Sequence, residues 1–421
     1  MHDVAADVDA AFTHVFGSAH GARAWFVPGR IEVLGKHTDY AGGRSLLATV
    51  DRGFHVLARP RDDARVRLLA VETGEVAELA LDPPPAPRPG HWTDYPVSVL
   101  RRLPRDHPEV GWRGMEFAFR STLPVASGLS SSSALVIATY LPLAAFNALD
   151  GATTYRAAIA DRSALAGYLG AVENGKAFGP FPGDFGVGTQ GGSEDHLAIL
   201  ACEPGELLQA RFLPVAEERR IAVPDGWAFV VAASGVHAAK GGAVQAHYNA
   251  LAGETAELLR HAEPALGAPY VSLLDALESA PDAEARLARE VRRRAAEAER
   301  LLARLGQFRE ESVEIIPAVV EALVRGDVAA AGPLVARSHE MAETVLRNQV
   351  PETMWLVREA RRLGAAAASA FGAGFGGAVW ALAPAGEAEA LAARWMAGYA
   401  EAFVGRGGEA WVVGSAQGRG P

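Results

Sequence analysis

Cysteine is almost missing: Cys202 is the only one in 421 residues. A lone thiol excludes an intrachain disulfide and a cysteine-based zinc cluster. It suits a reducing compartment, so a cytoplasmic protein is expected. A basic excess is missing as well, since 40 Lys and Arg face 50 Asp and Glu and the formal net charge is −10. Binders of nucleic acid or of acidic membranes normally carry a positive surface, so neither partner is expected. An anionic substrate would need a local basic site. The segment Met1 to His20 is acidic and lacks the basic-then-apolar pattern of a secretory signal.

Long hydrophobic runs are also absent. The longest, Ala134 to Leu149, is interrupted by Thr139, Pro142 and Asn147. It falls short of the roughly 20 residues that a membrane span needs, and it reads as a buried, kinked core helix. No internal repeat is present. What remains is ordinary for a globular protein with a sizeable core: 49% hydrophobic and 21% charged residues, in a length that suits two or three domains.

The spacing of apolar residues predicts a helix over Ala5 to Phe16 and strands over Ala24 to Val27 and Ser45 to Ala58. Val66 to Leu81 is a hairpin turning at Glu72 to Glu75, and Asp82 to Gly90 is a proline-rich loop. A helix over Trp92 to Leu103 and a strand over Met115 to Ser121 come next. Helices over Ser131 to Asn147 and Thr154 to Leu169 follow, then a shaped loop, Gly175 to Gly192. The pattern changes near Glu203-Pro204-Gly205. Trp227 to Ser234 reads as a strand, and Gly242 to Arg362 as a long helical region. Within that region, Asp282 to Leu305 is a solvated helix laced with i,i+4 charge pairs rather than an arginine-lined partner site. Strands at Ala367 to Phe371, Gly377 to Leu382 and Glu409 to Val413 close the chain, with a helix over Gly386 to Phe403. Mixed strands with segregated helices predict an α+β fold of two domains, 1–205 and 206–421.

Three constellations carry chemistry. Pro124 to Ala134 is a glycine-containing turn that feeds four serines into an apolar helix. The first N–H groups of a helix lack intrahelical partners, and the dipole adds positive charge there, so the turn offers a phosphate cradle. One serine would suffice as a cap, so four in a row ask for more than capping. Pro28 to Tyr40 packs Arg30, Lys36, His37 and Asp39 into one strand-to-turn segment. Asp39 can accept two sugar hydroxyls, and Arg30 can meet a phosphate or an acid. Phe371 to Gly377 is a glycine-rich loop, weak on its own because tight turns need glycine too.

Together these segments resemble the galactokinase branch of the GHMP small-molecule kinases, where a GEHTDY segment, a GLSSS turn and a GxGFGG loop occur in this order. Phe12 to Gly17, Trp92 with Tyr95, Ser193 to His196 and Ser234 to Asn249 extend the likeness over nearly the whole chain. The resemblance implies a two-domain GHMP kinase fold with its active site in the cleft between the domains. It implies an ATP- and Mg²⁺-dependent kinase that phosphorylates the anomeric C1 hydroxyl of galactose. Asp195 then matches the catalytic aspartate, as general base or electrostatic orienter of the C1 hydroxyl, and Arg30 the arginine beside it. Ser132 and Glu173 match the Mg²⁺ ligands. Gly128, Leu129, Ser130, Ser131, Ser132 and Ser133 would hold the nucleotide phosphates, and Gly374 and Gly376 would close the C-terminal domain over them. Lys36, His37, Asp39 and Tyr248 match sugar contacts. A monomer is expected.

The chain departs from that pattern in places. Lys36 replaces the glutamate that contacts the sugar's C6 hydroxyl, and Glu32 replaces an asparagine. One account is local charge compensation between these two or with another acid. Another is altered specificity, with Lys36 meeting the carboxylate of a uronic acid. Gly186 to Gly192 is longer and richer in glycine than usual, Phe371 replaces a threonine and Ala378 a cysteine. A non-catalytic sensor of galactose and ATP is the rival from another class. A kinase for a non-sugar alcohol is disfavoured by His37-Thr38-Asp39-Tyr40.

Overall fold

The computed structural model describes residues 3–125, 127–237 and 242–414. Two sheets organise it. The first contains β1 (Arg23–Leu34), β2 (Arg44–Pro60), β3 (Arg65–Ala70), β4 (Glu75–Ala80), β5 (Met115–Ser121), β6 (Glu206–Arg211) and β7 (Ala216–Ala222). Its order is β4-β3-β5-β2-β6-β7, with β1 also paired to β2. Only β3 and β5 run parallel. β2 is long enough to serve three neighbours: β1, β6 at its start and β5 at its end. The second sheet contains β8 (Trp227–Ala233), β9 (Ala367–Ala370), β10 (Ala378–Pro384) and β11 (Glu409–Val412), in the antiparallel order β11-β8-β10-β9.

This is an α+β fold, as expected, but the sheets divide elsewhere. β6 and β7 hydrogen-bond into the first sheet through β2, so that sheet runs on to Ala222 and the second begins at Trp227. Glu203-Pro204-Gly205 marks a chain reversal, with Gly205 at φ 78°. A reversal shows in local composition; the sheet that the next strand joins does not. The expected helix over Thr154 to Leu169 is also two, Thr153–Ala158 and Arg162–Asn174. Asp161 separates them and caps the second by accepting from the Ala164 N–H at 2.8 Å.

Side chains alternate across a strand. In β8, Phe229, Val231 and Ala233 join the main core, while Val230 and Ala232 face a second one. In β10, Ala378, Trp380 and Leu382 alternate in the same way with Val379, Ala381 and Ala383. Both faces are covered, which is why these strands read as unbroken apolar runs. Trp380 is 1% exposed, and truncating it to alanine would cost about 3–5 kcal/mol.

The helix Ser131–Phe146 is enclosed over its middle turns. Every residue from Ser133 to Tyr140 is buried, against β1, β2 and the helices Asp94–Asp106 and Arg162–Asn174. A helix with no polar face belongs in a core. Its N-terminus is therefore fixed from within. The long helical region is a series of helices, among them Gly242–Leu266, Ala298–Arg309 and Val328–Met341, with a π-helical turn at Glu310–Ile315. It packs a separate apolar core against Tyr40 and Ala41. Among the described residues, no helix is long and apolar enough to cross a membrane.

Candidate active site

A cavity of about 330 Å³ lies where β1, the Ser131 helix end and the glycine-rich loop Phe371 to Gly377 meet. Arg30 and Glu32, two apart on β1, both reach its wall. Beyond β1 the chain turns sharply at Gly35, φ 123°, where an added Cβ would overlap Ser45. His37 takes a positive φ of 58°. Thr38 Oγ1 braces the turn by donating to the carbonyls of Gly35 and Arg44, each at 2.8 Å. The helix Ala298–Arg309 clamps it from the other side: Gln307 Nε2 donates to Lys36 O at 3.2 Å and Arg304 to His37 O. The turn thus presents His37 and Asp39 to the cavity.

The hydroxyl turn supplies the opposite wall through Gly128 and Ser130 to Ser133. Ser130 is in the left-handed region at φ 62° and makes no side-chain cap bond. Its Oγ and that of Ser127 are buried without a hydrogen-bond partner among the described residues. Orphaned hydroxyls beside a helix N-terminus suit phosphate oxygens. The third loop packs onto this turn: a Cβ on Gly377 would lie 2.7 Å from Ser127 O.

Asp195 stands in the first turn of the helix Glu194–Ala201. Arg30 grips its Oδ1 from Nε at 2.7 Å and from the second terminal nitrogen at 2.6 Å, and donates from the other to Gly128 O at 2.7 Å. Burial alone would lower the Arg30 guanidinium. The charges of Asp195, Glu194 and Glu32 more than offset it and raise its pKa. Beside Asp195, Ser133 Oγ donates to Glu173 Oε2 at 2.8 Å, and His196 Nε2 lies 3.0 Å from the same oxygen. Glu173 also lines the cavity, as does Ser132.

Asp39 receives the Glu194 N–H at 3.3 Å. Burial and then the charge of Asp195 push its carboxyl above the usual range. Tyr248 is half-buried, its ring centroid 5.0 Å from that of His37. Burial, then the Asp39 charge, raises its phenol well above the ordinary value.

Four expected residues are not on the cavity wall. Lys36 is fully buried and points to Ser338 Oγ, 3.4 Å away, because the Gly35 turn swings it behind β1. Buried there, it lies off the cavity wall, and nothing in the structure supports the sugar contact or the uronate account built on it. Leu129 is a core residue whose carbonyl accepts from the Arg30 N–H at 3.3 Å. Gly374 packs against Asn348 and Gly376 against Val236, so Gly372 and Ala373 carry the loop's cavity edge instead.

Sequence reasoning did not single out Glu194, His196, Arg304, Gln307 or Glu311 individually. Glu311 Oε1 accepts from the N–H groups of Gly35 and Lys36 at 2.8 and 3.4 Å, and from Ser338 Oγ at 2.9 Å. No local pattern marks such residues, since they act across distant segments. Of the Ser234 to Asn249 resemblance, residues 238–241 lie outside the described residues.

Known proteins resemble the chain along its length. A galactokinase galactose-binding signature matches residues 10–60, the GHMP kinase N-terminal domain residues 94–176 and the GHMP kinase C-terminal domain residues 319–401. A galactokinase from Chloroflexus aggregans is 30% identical over 404 residues, covering 93% of this chain and 91% of the relative. One from Streptococcus mutans is 38% identical over a shorter stretch, 31% of this chain and 33% of the relative. The crystal structure of Lactococcus lactis galactokinase complexed with galactose superposes with a TM-score of 0.78 at 24% identity, covering 98% of this chain and 99% of that one. The Methanococcus jannaschii mevalonate kinase gives 0.56 at 14%, over 93% and 97%. The chain belongs to the galactokinase family of the GHMP kinases.

Proposed function

We propose that this chain is an ATP-dependent galactose 1-kinase, forming galactose 1-phosphate and ADP. The observation that carries this reading is the convergence of Asp195, Arg30 and the Ser131 helix end on one cavity. Asp195 orients the C1 hydroxyl and takes its proton as the new oxygen–phosphorus bond forms and the bond to ADP breaks. Arg30 holds Asp195 in place and neutralises charge on the moving phosphoryl group. The N–H groups of the hydroxyl turn, with the Ser130 hydroxyl, hold the nucleotide phosphates. Asp39 accepts ring hydroxyls, with His37 and Tyr248 beside it. Positioning supplies most of the rate.

The residues present fit Mg²⁺. Ser132 and Glu173 put a hydroxyl and a carboxylate on the wall at the phosphate end. Hard oxygens of this kind suit the ion, and these two side chains would hold it beside the nucleotide phosphates. Among the described residues there is no group of three or more His, Cys, Asp or Glu that could hold a metal. An ion held by two side chains and a triphosphate needs none. When bound, Mg²⁺ would draw charge from the phosphates. Ser133, which donates to Glu173, would keep that carboxylate oriented, with the His196 ring packed beside it.

The single, buried Cys202 supports a cytoplasmic setting, and a monomer is the working oligomeric state. The experiment that tests the reading supplies free sugars with ATP and Mg²⁺, follows ADP release and locates the phosphate by NMR. Galactose-dependent turnover with phosphate on C1 is expected. Binding of both ligands without turnover of any sugar would instead make the chain a sensor.

A further inference from the structure

In the family pattern a carboxylate stands at position 36, beside His37. Here Lys36 faces away from the cavity, and another carboxylate occupies the wall. Glu32 is 3% exposed, lines the cavity two residues from Arg30, and its Oε1 has no hydrogen-bond partner among the described residues. A buried acceptor left empty is costly, so a donor on the ligand is its natural partner. The opposite loop is cut back to make room for it, since a Cβ on Gly372 would overlap the Glu32 carboxyl.

The surroundings fix that carboxyl. It pairs with the carboxyl of Glu194, whose Oε2 accepts from Ser45 Oγ at 2.5 Å. Burial raises both carboxyls, and two negative charges side by side there are disfavoured. Lys36 and Arg30 provide the nearby positive charge. The wall therefore presents Glu32, Asp39, Glu173, Glu194 and Asp195 against one Lys or Arg, Arg30, among its described side chains. Such a wall welcomes hydroxyl donors and repels a carboxylate.

We propose that Glu32 is a specificity-determining residue of the sugar site. Its Oε1 accepts a hydrogen bond from a non-anomeric hydroxyl of a neutral hexose, taking over the acceptor role that position 36 has lost. This rests on the galactose kinase reading.

A hydroxyl-deletion cycle tests it. kcat/KM is measured for galactose and its 2-, 3-, 4- and 6-deoxy analogues with wild type, Glu32→Met and Glu32→Gln. Removing one of these hydroxyls is expected to cost wild type about 10- to 10³-fold. The same removal should cost Glu32→Met less than about threefold, while the other penalties stay as in wild type. Glu32→Gln, which keeps an acceptor oxygen, should restore much of the lost penalty. Equal penalties in all three proteins at every position would overturn the proposal. A crystal of wild type with galactose serves if Glu32→Met does not fold: a sugar hydroxyl within about 3.2 Å of Glu32 Oε1 supports it, and none within about 4 Å overturns it. Wild type that turns over no galactose would instead overturn the kinase reading and this inference with it.

Discussion

Arg30 and Asp195 lie 165 residues apart and meet in a two-point ion pair, at 2.7 and 2.6 Å to one carboxylate oxygen. The same guanidinium donates to Gly128 O at 2.7 Å. One side chain thus sets the distance between the acid and the phosphate cradle. Lysine carries the charge but lacks the fork. Arg30→Lys is expected to lower kcat by about 10²- to 10³-fold with little change in the KM for galactose. Steady-state kinetics check this, and a change in KM alone would count against the bridging role.

Lys36 lies in the interior among Glu32, Glu311 and Ser338. Lys36→Met removes a buried cation and leaves acids behind, so it should cost about 3–5 kcal/mol in urea denaturation. Lys36→Glu, which restores the family residue, should be worse, because it adds a further acid to the cluster. Wild type should also prefer galactose to galacturonate in kcat/KM. A galacturonate preference would return Lys36 to the sugar.

Burial raises the carboxyls of Glu32, Glu194 and Asp39. Below the ordinary glutamate value of 4.5, Glu32 is protonated whether folded or unfolded. As pH rises, the unfolded chain releases its protons first, so the folded state binds more and loses stability across that window. Unfolding free energy should therefore fall as pH climbs from about 4.5 toward the raised value, with a shallower slope in Glu32→Gln. Denaturation titrations across pH read this directly, and equal slopes in the two proteins would contradict it.

Glu173 meets Ser133 and His196 on the cavity wall beside the Ser131 helix end. Glu173→Ala should raise the Mg²⁺ concentration for half-maximal rate by about 10- to 100-fold. His196→Ala removes only a neighbouring ring, whose Nε2 lies 3.0 Å from Glu173, and should raise it less. An unchanged Mg²⁺ dependence in both would remove Glu173 from the metal's surroundings.

Much of this was legible in the sequence, for identifiable reasons. The α+β class followed from apolar periodicity, and β8 and β10 read as buried strands because both faces are covered. Arg30, Asp39, Glu173 and Asp195 stood out by resemblance, and the fold brings all four to one cavity. The direction of Lys36 was not legible, because β1 carries a register shift between Glu32 and Leu34 and then turns at Gly35. Strand alternation stops predicting facing at such a break. The contacts of Glu311, Ser338 and Gln307 with the turn at Gly35 and Lys36 span more than 250 residues of chain, for instance 271 from Gln307 to Lys36. Composition near any one of them carries no trace of it.

If Asp195 acts on the anomeric hydroxyl from Arg30's grip, Asp195→Asn should spare binding and abolish most transfer. Calorimetry with galactose and ATP, beside single-turnover phosphoryl transfer, should give binding within a few-fold of wild type and a rate lower by about 10²- to 10⁴-fold. A rate within about twofold of wild type, with binding intact, would contradict it.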